Sequence, residues 1–227
     1  MATLLSIKTR ASERMNDTSF VTNSEAFYNQ CVNDAQREIQ ETCKILYETS
    51  TISSVDGTQL YDLPSNYMSM FDDNNCVLYT DTNSVVHYLN WATYNSLKNR
   101  FDDLTTEEGT PTYFWIQDDR IGFYKIPDYS GSSNVSIIHY YYPATMSSNS
   151  TTSDLPDKYQ VATVYLTCKF ISERNELYQE SEMWNNKYLL ELNRIDNTND
   201  PMLTAHRSSG SEYIGVRRPG IVGRGTL

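Results

Sequence analysis

No apolar run in this chain approaches the roughly 18 residues that a membrane-crossing helix needs, and mean hydropathy is -0.57. The start, Met1 to Arg14, sets Lys8, Arg10, Glu13 and Arg14 among its apolar residues, so it lacks the uninterrupted apolar stretch of a secretory signal. Cysteine is scarce. Cys31, Cys43, Cys76 and Cys168 form no CxxC pair, and their spacings suit neither a zinc site nor a disulfide framework. Cys31 and Cys43 fall in one expected helix, too far apart along its axis to bridge. All four are expected to be buried thiols, which fits synthesis in a reducing cytosol.

Signatures of chemistry are equally thin. His87, His139 and His206 are scattered over different segments with no HxH or HExxH spacing, so no local metal motif is present. GxSxG, SxxK and Cys/His patterns are missing. Gly220-Ile-Val-Gly-Arg-Gly225 lacks both the Lys-Ser/Thr and the strand-to-helix setting of a phosphate loop. Asp72-Asp73, Asp102-Asp103, Glu107-Glu108 and Asp118-Asp119 are neighbours in polar turns. Glycosidase chemistry needs two carboxyls facing each other across a bond, so these pairs are expected to be solvated. No catalytic residue, cofactor or metal is expected, and the chain does not read as an enzyme.

Basic residues are outnumbered, with 18 Lys and Arg against 29 Asp and Glu. The imbalance is uneven. Met1 to Ala205 carries a formal -14, while His206 to Leu227 carries +3 through Arg207, Arg217, Arg218 and Arg224 against Glu212 alone. An acidic body argues against a surface that grips phosphates, and a basic tail can reach an acidic partner. Tyrosine is abundant, at 18 residues, and its apolar ring with a polar tip suits wet surfaces and subunit contacts.

The 227 residues suit one compact domain with appendages. Helices are expected over Ala2–Met15 and from Glu25 to Leu46, where apolar residues recur three and four apart after N-cap chemistry at Thr22 to Ser24. At Ser50 the period changes. Thr51 to Val55, a turn at Asp56-Gly57, and Thr58 to Pro64 read as a hairpin. Met68 to Phe71 and Cys76 to Tyr79 read as short strands, and Ala92 to Phe101 as a short helix capped by Asn90. Thr112 to Gln117 and Ile121 to Ile126 read as a second hairpin, followed by a strand over Val135 to Tyr142. Asp154-Leu-Pro156 launches a long helix with a bend near Asn175. Past Asp196, Asn, Asp, Gly, Ser, Pro and Arg replace the helical pattern. The fold class expected is α+β, mainly α: a helical bundle from residues 1–49 and 154–195, a β-rich insertion over 50–153, and an extended arm over 196–227.

Six short motifs occur in a distinctive order: Asn33-Asp-Ala-Gln-Arg-Glu-Ile39 on a helix, Tyr61-Asp-Leu-Pro64, Gly109-Thr-Pro-Thr-Tyr113, Ile121-Gly-Phe-Tyr-Lys-Ile-Pro127, Pro143 after a strand, and Asp154-Leu-Pro-Asp-Lys-Tyr159. Together they resemble the head-to-tail adaptor proteins of tailed bacteriophages over about Leu4 to Leu192. The resemblance implies a virion protein without enzymatic activity, made in the host cytoplasm. It implies a homo-oligomeric ring, usually of twelve copies, between the portal protein and the tail or nozzle proteins. DNA would pass through its channel without sequence-specific binding, as an acidic lumen would favour. The resemblance also implies a C-terminal extension docked on the portal; here Arg207, Arg217, Arg218 and Arg224 would hold it. Tyr113, Trp115, Tyr124 and Tyr140 are expected to supply subunit or tail contacts. Alternatives are a carbohydrate-binding or receptor-contact module, with the same rings stacking on sugars, and a tail-tube or head-completion protein.

Overall fold

The computed structural model describes residues 1–71, 74–101 and 103–196. The expected bundle does not form. Five α-helices accompany an eight-stranded sheet that is nearly closed and barrel-like. The strands are β1 (Tyr47–Ser54), β2 (Leu60–Asp62), β3 (Tyr67–Met70), β4 (Asn74–Thr80), β5 (Val86–Trp91), β6 (Tyr113–Gln117), β7 (Arg120–Tyr124) and β8 (Gly131–Tyr141). Their order is β1-β8-β4-β5-β6-β7-β2, with β3 also paired to β8. The physical reason for the correction is that the sheet closes a core of its own. Tyr61, Val77, Tyr79, Leu89, Phe114, Ile121, Phe123, Val135 and Ile137 are buried together inside it. Such a sheet is an independent packing layer.

The first expected hairpin is also corrected. The turn at Asp56-Gly57 exists, with Gly57 at φ 70, but its two arms part. β1 pairs antiparallel with β8, Ser50 opposite Ile137, and β2 pairs with β7, Tyr61 opposite Ile121. The second hairpin forms as expected, with Tyr113 opposite Tyr124 and Gln117 opposite Arg120. β5 occupies a stretch left without an element among the expectations above.

Helix α1 (Leu4–Arg14) starts where the Thr3 hydroxyl accepts the Ser6 N–H at 3.2 Å. α2 (Glu25–Cys43) starts likewise at Ser24, whose hydroxyl accepts the Phe27 N–H. It ends earlier than the apolar pattern suggests, because Lys44 turns left-handed at φ 48 and sends the chain into β1. α3 (Tyr94–Arg100) is capped by Thr93 rather than Asn90. The long C-terminal helix is two helices, α4 (Gln160–Arg174) and α5 (Tyr178–Asp196), parted at Asn175 to Leu177 with Glu176 at φ 59. They fold back on each other. Trp184 of α5 stacks on Tyr165 of α4 at 6.0 Å, and Tyr188 and Ile195 pack with Ala162, Leu166 and Tyr159. A second core joins α1, α2, α4 and α5 through Leu4, Ile7, Tyr28, Val32, Cys168, Ile171 and Trp184.

Two polar devices lock the helical side. Lys8 is fully buried, and its ammonium reaches Glu25, Asn29 and Asn149, tying α1 to α2 and to the loop before α4. Between α1 and α2, the Asp17 carboxylate accepts N–H bonds from Val21 at 2.8 Å and from Thr22 and Asn23 at 3.0 Å. Desolvation opposes its ionisation, yet the three N–H donors outweigh it and hold the carboxyl below its ordinary range. Asp17 therefore stabilises the fold above the ordinary carboxylate pKa, and that contribution is lost as pH falls through the lowered folded value.

Candidate interaction surfaces

The four aromatic residues expected at contacts do not share one surface. Tyr113, Trp115 and Tyr124 come together on the β6–β7 hairpin, packed under α3 with Leu97, Phe101 and Leu104. Tyr124 stacks on Phe101 at 4.2 Å, and its hydroxyl donates to Glu107 at 2.6 Å. Burial first, then that carboxylate, push its pKa up to about 12. Trp115 is buried beneath Tyr94, ring centres 5.5 Å apart. Tyr113 is half-buried, with the Arg100 guanidinium 5.4 Å above its ring. Tyr140 lies elsewhere, buried on β8 against Phe71 at 5.2 Å. Trp115, Tyr124 and Tyr140 are thus committed to the interior of the fold. The physical reason is the sheet: in a hairpin whose faces are both covered, aromatic residues fill the core.

Exposed rings and alkyl chains come instead from residues to which the sequence reading assigns no contact. Val86 and Tyr88 project from β5, with Tyr88 60% exposed; exposed Trp91 ends that strand and Tyr94 opens α3. The signal was available: Val85-Val-His-Tyr-Leu-Asn-Trp91 is a β-branched and aromatic run bounded by Asn83-Ser84. A second exposed set, Tyr178, Met183 and Leu190, lies along α5, with Leu177 just before it.

The described residues contain no group of three or more His, Cys, Asp or Glu that could hold a metal. His87 bonds Asp81 at 2.9 Å. His139 is buried on β8, its Nδ1 against the Tyr140 carbonyl at 3.1 Å and its Nε2 against the Ser50 hydroxyl at 3.0 Å, a pairing satisfied within the sheet. The cysteines are thiols, with Cys31, Cys76 and Cys168 buried. Desolvation raises the Cys31 thiol to about 11 and the Cys168 thiol to about 12, which makes both poor nucleophiles. No helix among the described residues is long and apolar enough to cross a membrane. Arg207, Arg217, Arg218 and Arg224, with the whole arm, lie outside the described residues.

No curated protein matches the chain. One family model does, over residues 2–210, and its description is SU10 adaptor protein. The match spans both the sheet and the helices around it, so it concerns the whole architecture rather than one motif. On the strength of this match over nearly the whole chain, the molecule belongs to the SU10 adaptor protein family of phage structural adaptors.

Proposed function

We propose that this phage adaptor is a ring subunit seated between the portal protein and the tail or nozzle proteins of a tailed virion, twelve copies enclosing a channel for DNA. The observation that carries the reading is the family match over residues 2–210. The charge distribution supports it. A formal -14 over Met1 to Ala205, repeated around a ring, repels phosphates and lets DNA slide without sticking during packaging and ejection. The arginine-rich segment from His206 to Leu227 is the arm that grips the portal. Guanidinium groups suit that task, since they pair with carboxylates and carbonyls in two-point contacts.

The arm is tested by co-sedimentation with isolated portal rings. The full chain is expected to sediment with them. A chain ending at His206 is expected to bind at least about tenfold more weakly, the loss of roughly 1.4 kcal/mol. The difference should shrink at high salt, where surface pairing is screened. Undiminished binding of the shortened chain would refute the docking arm while leaving the adaptor assignment in place.

A further inference from the structure

We propose that Glu212 to Val216 of the arm add to the open edge of β1 in the same subunit, as a further strand of the barrel-like sheet. The proposal concerns how the arm is held on its own subunit, so it stands or falls apart from the portal-docking reading.

β1 ends the sheet: among the described strands it pairs with β8 alone. The direction of its outer groups follows from the ladder. The Tyr141 N–H donates to the Leu46 carbonyl at 3.3 Å, which makes Leu46, Glu48, Ser50 and Ile52 the residues that bond β8. On the far side of β8, the Ile138 carbonyl accepts the Phe71 N–H at 3.2 Å, so Thr49, opposite Ile138, bonds no group of β8. Thr49 and Thr51 therefore point their N–H and C=O groups out of the sheet, and both residues are exposed. Such an edge is a template for another strand, and proteins blunt it with lysine, proline or a very short strand. Tyr47-Glu-Thr-Ser-Thr-Ile-Ser-Ser54 has none of these devices, and its register shift lies beyond Ile52. The other end of the sheet is blunted, since β2 has only three residues.

Where the arm starts selects the occupant. α5 ends at Asp196, and Ile195 shares a core with Leu46, the residue that precedes β1. The arm thus leaves the fold beside one end of the open edge. Residues 197–210 span about 45–50 Å when extended, against roughly 27 Å for an eight-residue strand. The segment that follows therefore reaches any part of β1 in its own subunit. That segment has strand chemistry: Ser208-Ser-Gly210 reads as a turn, Tyr213, Ile214 and Val216 are aromatic or β-branched, and Pro219 ends the run. Alternation sets Ile214 and Val216 on the face where Ile52 of β1 packs against the core of the sheet. Tyr213 then falls on the outer face with Thr49 and Thr51. Main-chain bonds supply the affinity in strand addition of this kind. Arg207 lies before the strand and Arg217, Arg218 and Arg224 after it, which leaves all four guanidinium groups available to a further partner.

Amide hydrogen exchange of the purified full chain tests the pairing. The Thr49 and Thr51 N–H groups are expected to exchange at least about tenfold more slowly in the full chain than in a chain ending at Gly210. Ile214→Pro in the full chain should abolish that protection, because proline has no N–H to donate, while Ile221→Pro should leave it unchanged. Equal exchange in the full and shortened chains overturns the proposal, as does protection that survives Ile214→Pro. Crosslinking identifies which chain supplies the strand. Thr51→Cys and Tyr213→Cys are combined in a Cys43→Ser background, the remaining thiols being buried, and treated with a short bis-maleimide. A crosslink within one chain is expected. A product the size of a dimer would put the strand on a neighbouring copy, and no crosslink would leave the edge uncovered; either result contradicts the assignment. Neither measurement contains portal, so their failure leaves the docking arm to be judged by co-sedimentation.

Discussion

Replacing Gln40 with methionine is expected to lower the free energy of unfolding by about 2–6 kcal/mol. The side chain is fully buried at the end of α2. Its Oε1 accepts the N–H groups of Ile45 and Leu46, each at 2.9 Å, and its Nε2 donates to the Leu46 carbonyl at 2.8 Å. These bonds fix the corner where the left-handed Lys44 turns helix into strand β1. Methionine fills nearly the same volume, so the packing change is small, under about 1.5 kcal/mol. The cost lies in the backbone groups left behind. The Leu46 carbonyl keeps a second donor, the Tyr141 N–H at 3.3 Å, so two N–H groups carry most of the penalty, at roughly 1–3 kcal/mol each when stranded away from water. Urea unfolding of the full chain measures it. A loss below about 1 kcal/mol would mean that water reaches the corner and replaces the carboxamide.

Gly122→Ala is the second large effect. Gly122 lies directly across the β6–β7 pair from Trp115, and a Cβ there would sit 2.3 Å from Cε2 and Cζ2 of the indole. The indole cannot withdraw, because Tyr94 covers it and it is buried among Leu97, Leu104 and Tyr124. Overpacking of this kind costs about 1–3 kcal/mol or more, and here it falls on the hairpin that supports α3. The expected result is a denaturation midpoint lowered by that amount, with a change in tryptophan emission. Trp115→Leu leaves a cavity and destabilises by itself, but it makes room for the new methyl. The double substitution is therefore expected to cost less than the sum of the two single ones. Additive losses would show that the glycine is needed for a reason other than the ring it faces.

Elements fixed by neighbours in the chain were readable from the sequence. The Ser24 cap, the apolar face of α2 and the turn at Asp118–Arg120 are local, and each appears where spacing and cap chemistry put it. Partners across the sheet were not readable. β1 joins β8 with Thr51 opposite Ser136, and β2 joins β7 with Asp62 opposite Arg120. No local pattern distinguishes those pairings from the hairpin that Asp56-Gly57 invites. That is why several single strands were legible but the barrel-like sheet was not, and why a bundle was expected in its place. The break in the last helix was legible only as a bend near Asn175, since helical spacing continues on both sides of Glu176.

For the contact surfaces the difficulty was different. Tyr113, Trp115 and Tyr88 are chemically alike, and only the register separates rings packed under α3 from one left outside. Gly122 carries the missing information, but it speaks only once Trp115 is known to face it. The family was legible earlier than the fold, because ordered motifs survive an incorrect assignment of the layers between them.

The claim that this adaptor occupies the portal–tail junction as a ring is tested most directly by imaging intact virions and fitting the chain into the density. The expected result is a closed ring of copies, usually twelve, directly beneath the portal, with the helices and sheet of each copy recognisable. Finding the chain in the capsid shell, at fibre tips, or only in the cytosol of infected cells would contradict it.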